Sequence, residues 1–313
     1  MMTAYLLTHE GKKLTLPLLT GWRLIRTGTV PCDSFEGTCL WEGGTDGRLE
    51  ECCRLVVEED GQRRFTGVLD ECELTWSEKG STLTVSGRGL AALLLDNESP
   101  GKDYQAATLA DILQEHVTPY GIRVSKAARL PTVPNFSTAT GSSQWQVLYS
   151  FAKYHGGVEP RFDVYGALTV DGKEGGRTLK LTDSHGPLEL TWRDKRYGVY
   201  SEILVRDRGS LREQRVSNKE FTAQGGSCQR VMTMPGKSAY EAMRYSGEYQ
   251  LKESYAKRFR LHVTLPGSYV CEPGDRIKAD LKRPGIQGLW RVLETESVLD
   301  AQGRRVKLTL GEG

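Results

Sequence analysis

The 313-residue chain reads as a mainly β protein with α+β insertions. Three observations predict this. Short runs with two-residue alternation, separated by glycine-rich turns, occupy residues 14–95. Two helical patterns with capping residues interrupt the strands between residues 108 and 157, and a third lies near 239–257. The last sixty residues return to strand patterns.

In the first segment, Glu42–Gly47 and Glu59-Asp60-Gly61 mark turns. Alternation places Cys53, Leu55 and Val57 on one face and Arg54 and Glu58 on the other; Leu83 and Val85 likewise alternate with Thr82, Thr84 and Ser86. The polar stretch Asn97–Gly101, punctuated by Pro100 and Gly101, predicts a linker closing a first domain. Thr108-Leu-Ala-Asp111 is a capping box, followed by Leu109, Ile112, Leu113, His116 and Val117 on one helical stripe and by Gly121 as a stop. A second helix is expected over 143–154, with Trp145, Leu148, Tyr149 and Ala152 facing inward and Gly156-Gly157 ending it. Pro160–Tyr165 and Ala167–Val170 predict a hairpin about Gly166.

Beyond Lys173–Gly176, strands are expected at 179–181, 188–192 and 200–206, and then a helix from Ala239 to Lys257 capped by Ser238-Ala-Tyr-Glu241. The closing strands are placed at 259–265, 276–281, 288–294 and 305–310. Val68–Glu73 with Leu83–Gly87 resembles Val292–Ser297 with Lys307–Gly311, each pair joined through a glycine turn, which suggests a duplicated β unit.

This length supports two or three cores, and 26% charged with 8% aromatic residues is ordinary for a folded chain in water. No apolar run approaches a membrane span, and no export signal is expected at the N-terminus. Residues 1–100 hold 10 Lys+Arg against 16 Asp+Glu, a charge of −6, so the remainder carries +8. Such polarity suits a protein that docks different partners at its two ends.

The residues predict no catalytic, cofactor or metal site. The seven cysteines (Cys32, Cys39, Cys52, Cys53, Cys72, Cys228, Cys271) contain no CxxC, and adjacent Cys52 and Cys53 on a strand point to opposite faces, so reduced thiols are expected. Pro235-Gly236-Lys237-Ser238 ends like a phosphate-binding loop, but Val231 stands where its first glycine belongs. His9, His116, His155, His185 and His262 are dispersed, without metal spacing or a nucleophile elbow. Arg276, Lys278, Lys282, Arg291, Arg305 and Lys307 are basic on the terminal strands, yet Asp280, Glu294 and Glu296 dilute them and no base-reading motif accompanies them.

Several segments, taken in order, resemble the hub proteins of contractile phage tails and R-type bacteriocins, the late-control D-type baseplate hubs. They are Phe65–Asp70, Gly80–Leu90, Thr108–Leu113, Gln144–Ala152 with Gly166–Val170, and Glu272–Ile277 with Gly288–Val292. The pattern departs from related hubs at Gly89, where an acidic residue is frequent.

The resemblance implies two tube-like β-barrels per chain, residues 1–97 and residues 177–222 with 259–313, plus an α+β domain at 98–176 and a helical insertion at 223–258. It implies a homotrimer that joins a sixfold tail tube to a threefold central spike around a channel. The implied partners are the central spike protein, the tail tube or tube-initiator protein and other baseplate proteins. The tape-measure protein or DNA would pass through the channel without sequence specificity, and no membrane insertion is implied. Such a protein would be made in the bacterial cytoplasm and reside in the baseplate of a phage or bacteriocin particle, without enzymatic activity. A glycan- or receptor-binding β module is the alternative, with Trp41, Trp76 or Trp192 as stacking platforms.

Overall fold

The computed structural model describes all residues except 29–32, 44–46, 79, 172–175, 209–211, 235–239, 283, 284 and 313. Cys32, much of the turn at 42–47, residues 173–175, the Pro235–Ser238 loop and the cap of the third helix therefore lie outside the described residues. The protein is mainly β and divides into two units. The first comprises residues 1–177, 266–274 and 294–306; the second comprises residues 178–265, 275–293 and 307–313.

The first unit opens with β1 (Met2–Thr8), a strand ahead of the alternating region read from residue 14. It continues through β2 (Lys13–Thr15), β3 (Leu19–Thr27), β4 (Ser34–Leu40), a short α1 (Gly47–Glu50), β5 (Cys52–Glu59), β6 (Gln62–Val68), β7 (Glu71–Ser77) and β8 (Gly80–Arg88). One sheet has the order β2-β1-β5-β6; in the other β3, β4, β8 and β7 are successive neighbours. Ala4, Leu6, Leu55, Val57 and Phe65 from the first sheet and Trp22, Leu24, Phe35, Leu83 and Val85 from the second form one buried core. Alternation produces this directly, because each strand turns every second side chain to the core. The β5–β6 turn at Asp60-Gly61 has positive φ at both residues (51° and 75°), as a two-residue hairpin requires.

One detail of the strand pattern is corrected. Cys53 is exposed instead of sharing the core face of Leu55 and Val57. Register on β1 runs from Leu7 opposite Arg54 to Thr8 opposite Cys52, and the resulting bulge at Cys53 breaks the alternation. No closed barrel forms among the described strand pairings; the two sheets pack face to face instead.

The α+β part of this unit follows α2 (Ala92–Leu95). Strand β9 (Lys102–Ala107) pairs with β11 (Val133–Thr138), while β10 (Val124–Ala127) and β12 (Arg161–Phe162) flank β13 (Leu168–Val170). Helix α3 (Leu109–His116) begins with the anticipated capping box: the Asp111 amide donates to Thr108 Oγ1 and the Thr108 amide to the Asp111 carboxylate. Leu109, Ile112, Leu113, His116 and Val117 are all buried, and Gly121 ends a following 3-10 turn at φ 69°. Helix α4 (Gln144–Tyr149) starts at Ser143 but widens into a π turn over Ser150–His155. Phe151 and Val147 are thereby buried while Tyr149 is only half-buried, which corrects the expected stripe.

In the second unit, β14 (Thr178–Thr182) pairs parallel with β20 (Arg276–Leu281), which pairs antiparallel with residues 286–291 of β21 (Ile286–Asp300). Strand β15 (Glu189–Asp194) pairs with β19 (Phe259–Pro266), and β19 neighbours β22 (Gly303–Glu312). Leu261, Val263, Ile277, Leu281, Val292, Leu308 and Leu310 are buried.

Strands β16 (Glu202–Asp207) and β17 (Glu213–Ser217), expected within the second barrel, instead form a separate three-stranded sheet with β18 (Gln229–Met234). The segment at 223–258 is accordingly not purely helical: it contains β18 as well as α6 (Tyr240–Ala256), and α5 (Lys219–Ala223) precedes it. Helix α6 packs on β16 and β17 through Met243, Leu251, Ile203, Val205 and Val216. Gly247 makes this approach possible, since a Cβ there would stand 2.6 Å from Val216 Cγ2 and 3.0 Å from Val205 Cγ2.

Candidate assembly surfaces

Two of the segments that carry the resemblance meet in the first unit. Gly67 and Gly89 form an isolated antiparallel bridge where the chain leaves β6 and crosses to β7. A Cβ on Gly67 would lie 2.1 Å from the Arg88 carbonyl oxygen, and one on Gly87 would lie 2.1 Å from the Val68 carbonyl oxygen. Only glycine allows the two backbones this proximity. Arg88 then clamps the corner, donating to Asp70 at 2.9 and 3.0 Å and to Asp96 at 2.7 and 3.0 Å. These bonds hold Arg88 firmly protonated and keep the Asp96 carboxyl below its ordinary range. At Gly89, the amide donates to the Asp33 carbonyl at 2.7 Å. These residues build a joint between sheets.

Of the several edge strands among the described pairings, two carry exposed tryptophans. Among the described residues strand β7 pairs only with β8, and its burial alternates from exposed Glu71, Glu73 and Thr75 to half-buried Cys72 and Leu74, with Trp76 60% exposed. Among the described residues strand β15 pairs only with β19, and it exposes Glu189, Thr191, Trp192 and Arg193, next to exposed Leu188 and Tyr197. An unpaired edge with apolar side chains is a template for another strand.

The β15 edge is held rigidly. Arg258, only 3% exposed, donates to Asp194 at 2.7 and 3.0 Å and to Gln224 at 2.7 Å, and its guanidinium lies 4.5 Å from the Phe259 ring centre. Phe259 in turn stacks on Trp192 at 5.9 Å. Hydrogen bonding from Arg258 holds the Asp194 carboxyl below its ordinary range, aided by Arg196.

The remaining sequence candidates are structural or dispersed. His116 is buried between Tyr104 Oη at 2.9 Å and Gln144 Oε1 at 2.5 Å; His185 helps cap a short turn; His155 meets Phe136 edge to face. Among the described residues no three His, Cys, Asp or Glu side chains gather as a metal site. Cys39 and Cys271 are buried, and burial, with neighbouring Cys52 and Glu71, pushes the Cys72 thiol up to about 11. Arg276, Lys278, Lys282, Arg291 and Lys307 are exposed, with Arg276 opposite Arg291 across β20 and β21; Arg305 is held by Asp300 at 2.6 Å. Of the three tryptophans considered as sugar platforms, Trp41 is buried, whereas Trp76 and Trp192 are exposed on the two edge strands. Sequence reading missed the edges because strand order is not written in local patterns. Two exposed tryptophans on short alternating runs were the available signal.

No family model and no curated protein matches the chain. Solved structures do. A tail protein from Neisseria meningitidis aligns at a TM-score of 0.79 and 19% identity, covering 99% of this chain and 96% of that one. The 43 kDa tail protein of prophage MuSo2 from Shewanella oneidensis aligns at 0.75 and 17% identity, covering 98% and 97%. An Escherichia coli component of the type VI secretion system, itself described as structurally similar to the bacteriophage T4 tail proteins gp27 and gp5, aligns at 0.54 and 12% identity, covering 93% and 73%. The chain therefore has the fold of phage tail proteins, along essentially its whole length.

Proposed function

We propose that this chain is a structural subunit of a contractile tail baseplate, its central hub. The observation that carries the proposal is the full-length match to tail-protein folds, in a chain where, among the described pairings, the edge strands β7 and β15 each expose a tryptophan. As a homotrimer, the hub would set two β units per chain, six in all, around a channel, and so join a sixfold tube to a threefold spike. Its partners would be the spike, the tube or tube initiator and neighbouring baseplate proteins, in a phage or bacteriocin particle.

Function here rests on broad contacts that carry contraction force, without catalysis. The buried Gly67–Gly87 joint and the Arg88 clamp suit that load, because backbone contact ties β6 to β8 and four charge-assisted bonds tie β8 to the link before β7 and to the end of α2.

Light scattering on the purified full chain tests the assembly. A species of three times the 34.9 kDa chain mass supports the hub. A monomer at every concentration and salt tried refutes it.

A further inference from the structure

We infer that strand β7 of one copy pairs antiparallel with strand β15 of the next, in the register that places Glu73 opposite Arg193. This rests on the hub reading and names the contact through which its copies join.

Backbone geometry selects which residues can pair. The Trp41 amide donates to the Ser81 carbonyl, so β8 directs its odd-numbered residues toward β4 and its even-numbered ones toward β7. Glu71, Glu73, Thr75 and Ser77 stand opposite those even residues and bond inward, which leaves the N–H and C=O groups of Cys72, Leu74 and Trp76 directed outward. On β15, the Lys195 amide donates to the Arg258 carbonyl, its partner in register, so Arg193 and Thr191 also bond inward. Leu190, Trp192 and Asp194 direct their backbone groups outward. A ladder must join outward residues to outward residues, and the proposed register does so: Cys72 faces Asp194, Leu74 faces Trp192, and Trp76 faces Leu190.

The side chains agree with the backbone. On one face of this ladder, Leu74 and Trp76 meet Trp192 and Leu190, covering two tryptophans that are 60% and 52% exposed in the single chain. On the other face, Glu73 meets Arg193, Glu71 meets Lys195, and Thr75 meets Thr191, pairs of the kinds that stabilise antiparallel strands. Shifting by one residue in either direction would put outward backbone groups against inward ones. Shifting by two would oppose Glu71 to Arg193 but leave Glu73 facing Thr191, or oppose Glu73 to Lys195 but leave Thr75 facing Arg193.

Long-range charge points the same way. The unit containing β7 carries 20 Lys+Arg against 27 Asp+Glu, a charge of −7, and the unit containing β15 carries 22 against 13, a charge of +9. Like units repel and unlike units attract, so copies meet head to tail, the heterologous contact from which rings are built. The Arg258–Asp194 anchor and the Trp192–Phe259 stack hold β15 in place before a partner arrives.

Sedimentation equilibrium of the full chain and three variants tests the pairing. Glu71→Lys with Glu73→Lys, and separately Arg193→Glu with Lys195→Glu, should each weaken association at least tenfold, and the four changes together should recover most of it. A second test is independent of charge. Thr75→Cys with Thr191→Cys should give covalent oligomers on mild oxidation above the wild-type background, whereas Thr75→Cys with Leu190→Cys, on opposite faces, should not. Oligomers that persist in both charge-reversal variants, together with no Thr75–Thr191 cross-link, overturn the register and leave the hub reading standing. A wild-type chain that never associates removes the hub reading itself.

Discussion

Replacing Arg258 by alanine should unfold the second unit early and blunt its β15 edge. The guanidinium is 3% exposed and makes three short bonds, two to Asp194 and one to Gln224. Removing one partner of a buried ion pair costs about 3–5 kcal/mol, because the other charge stays behind unpaired. Asp194 keeps Arg196 at 3.2 Å and is 16% exposed, so water and a second cation recover part of the loss. The lower end, about 3 kcal/mol, is the expected cost. For a domain of this size that lowers the melting temperature by roughly 10 °C. Arg258→Lys keeps the charge but loses the fork geometry and the ring stacking, so it should cost about half as much, roughly 1–2 kcal/mol. Thermal and urea unfolding followed by tryptophan fluorescence reads both, since Trp192 sits one ring away from the site. If Arg258→Ala melted within about 2 °C of wild type, the claim that this residue anchors the edge would be refuted.

Gly87→Ala forces a Cβ to within 2.1 Å of a backbone carbonyl and should destabilise the first unit by about 2–3 kcal/mol or abolish folding, whereas Gly61→Ala, where the added atom meets nothing, adds only the strain of a positive φ; urea midpoints compare them. Gly247→Val should loosen α6 from β16 and β17 and raise amide exchange there, leaving exchange in β3, β4 and β8 unchanged. Acid should weaken the fold through Asp194: its folded carboxyl titrates below the ordinary value near 4, so its stabilisation is complete above that ordinary value and is lost as pH falls from there through the lower folded value. Urea midpoints between neutral pH and pH 3 should therefore decline less steeply in Arg258→Ala than in wild type. Interfaces between assembled copies should bury more than about 2,000 Å² per pairing, measurable in any reconstruction of the particle.

Much of the fold could be read locally. The Thr108–Asp111 box, the buried stripe from Leu109 to Val117, the Gly166 hairpin and the Leu83/Val85 alternation all depend on neighbours a few residues away, and sequence records those interactions. What escaped depends on distant partners. The bulge that exposes Cys53 is set by its register on β1, nearly fifty residues earlier in the chain. The sheet of β16, β17 and β18 requires a parallel pairing across α5, and no alternation announces which strands will join. The π turn after Tyr149 has no simple residue signature, and it changed the inward stripe without ending the helix.

The assembly surface was legible only in part. Trp76 and Trp192 stood out as aromatic residues on short strands, but stacking on sugar and pairing at an edge ask for the same residue type. That β7 and β15 each have one neighbour among the described pairings fits strand pairing, and that knowledge comes from topology. The charge polarity was visible in sequence from the start. Its sharper form, −7 against +9, follows once the chain is divided by contacts instead of at residue 100.

Direct imaging of the purified full-length protein by cryo-electron microscopy tests the central claim most sharply, that this chain works by shape and subunit contact. A closed threefold particle with six similar β lobes around an open channel is expected. A uniform population of single chains, with both strand edges bare, would contradict it.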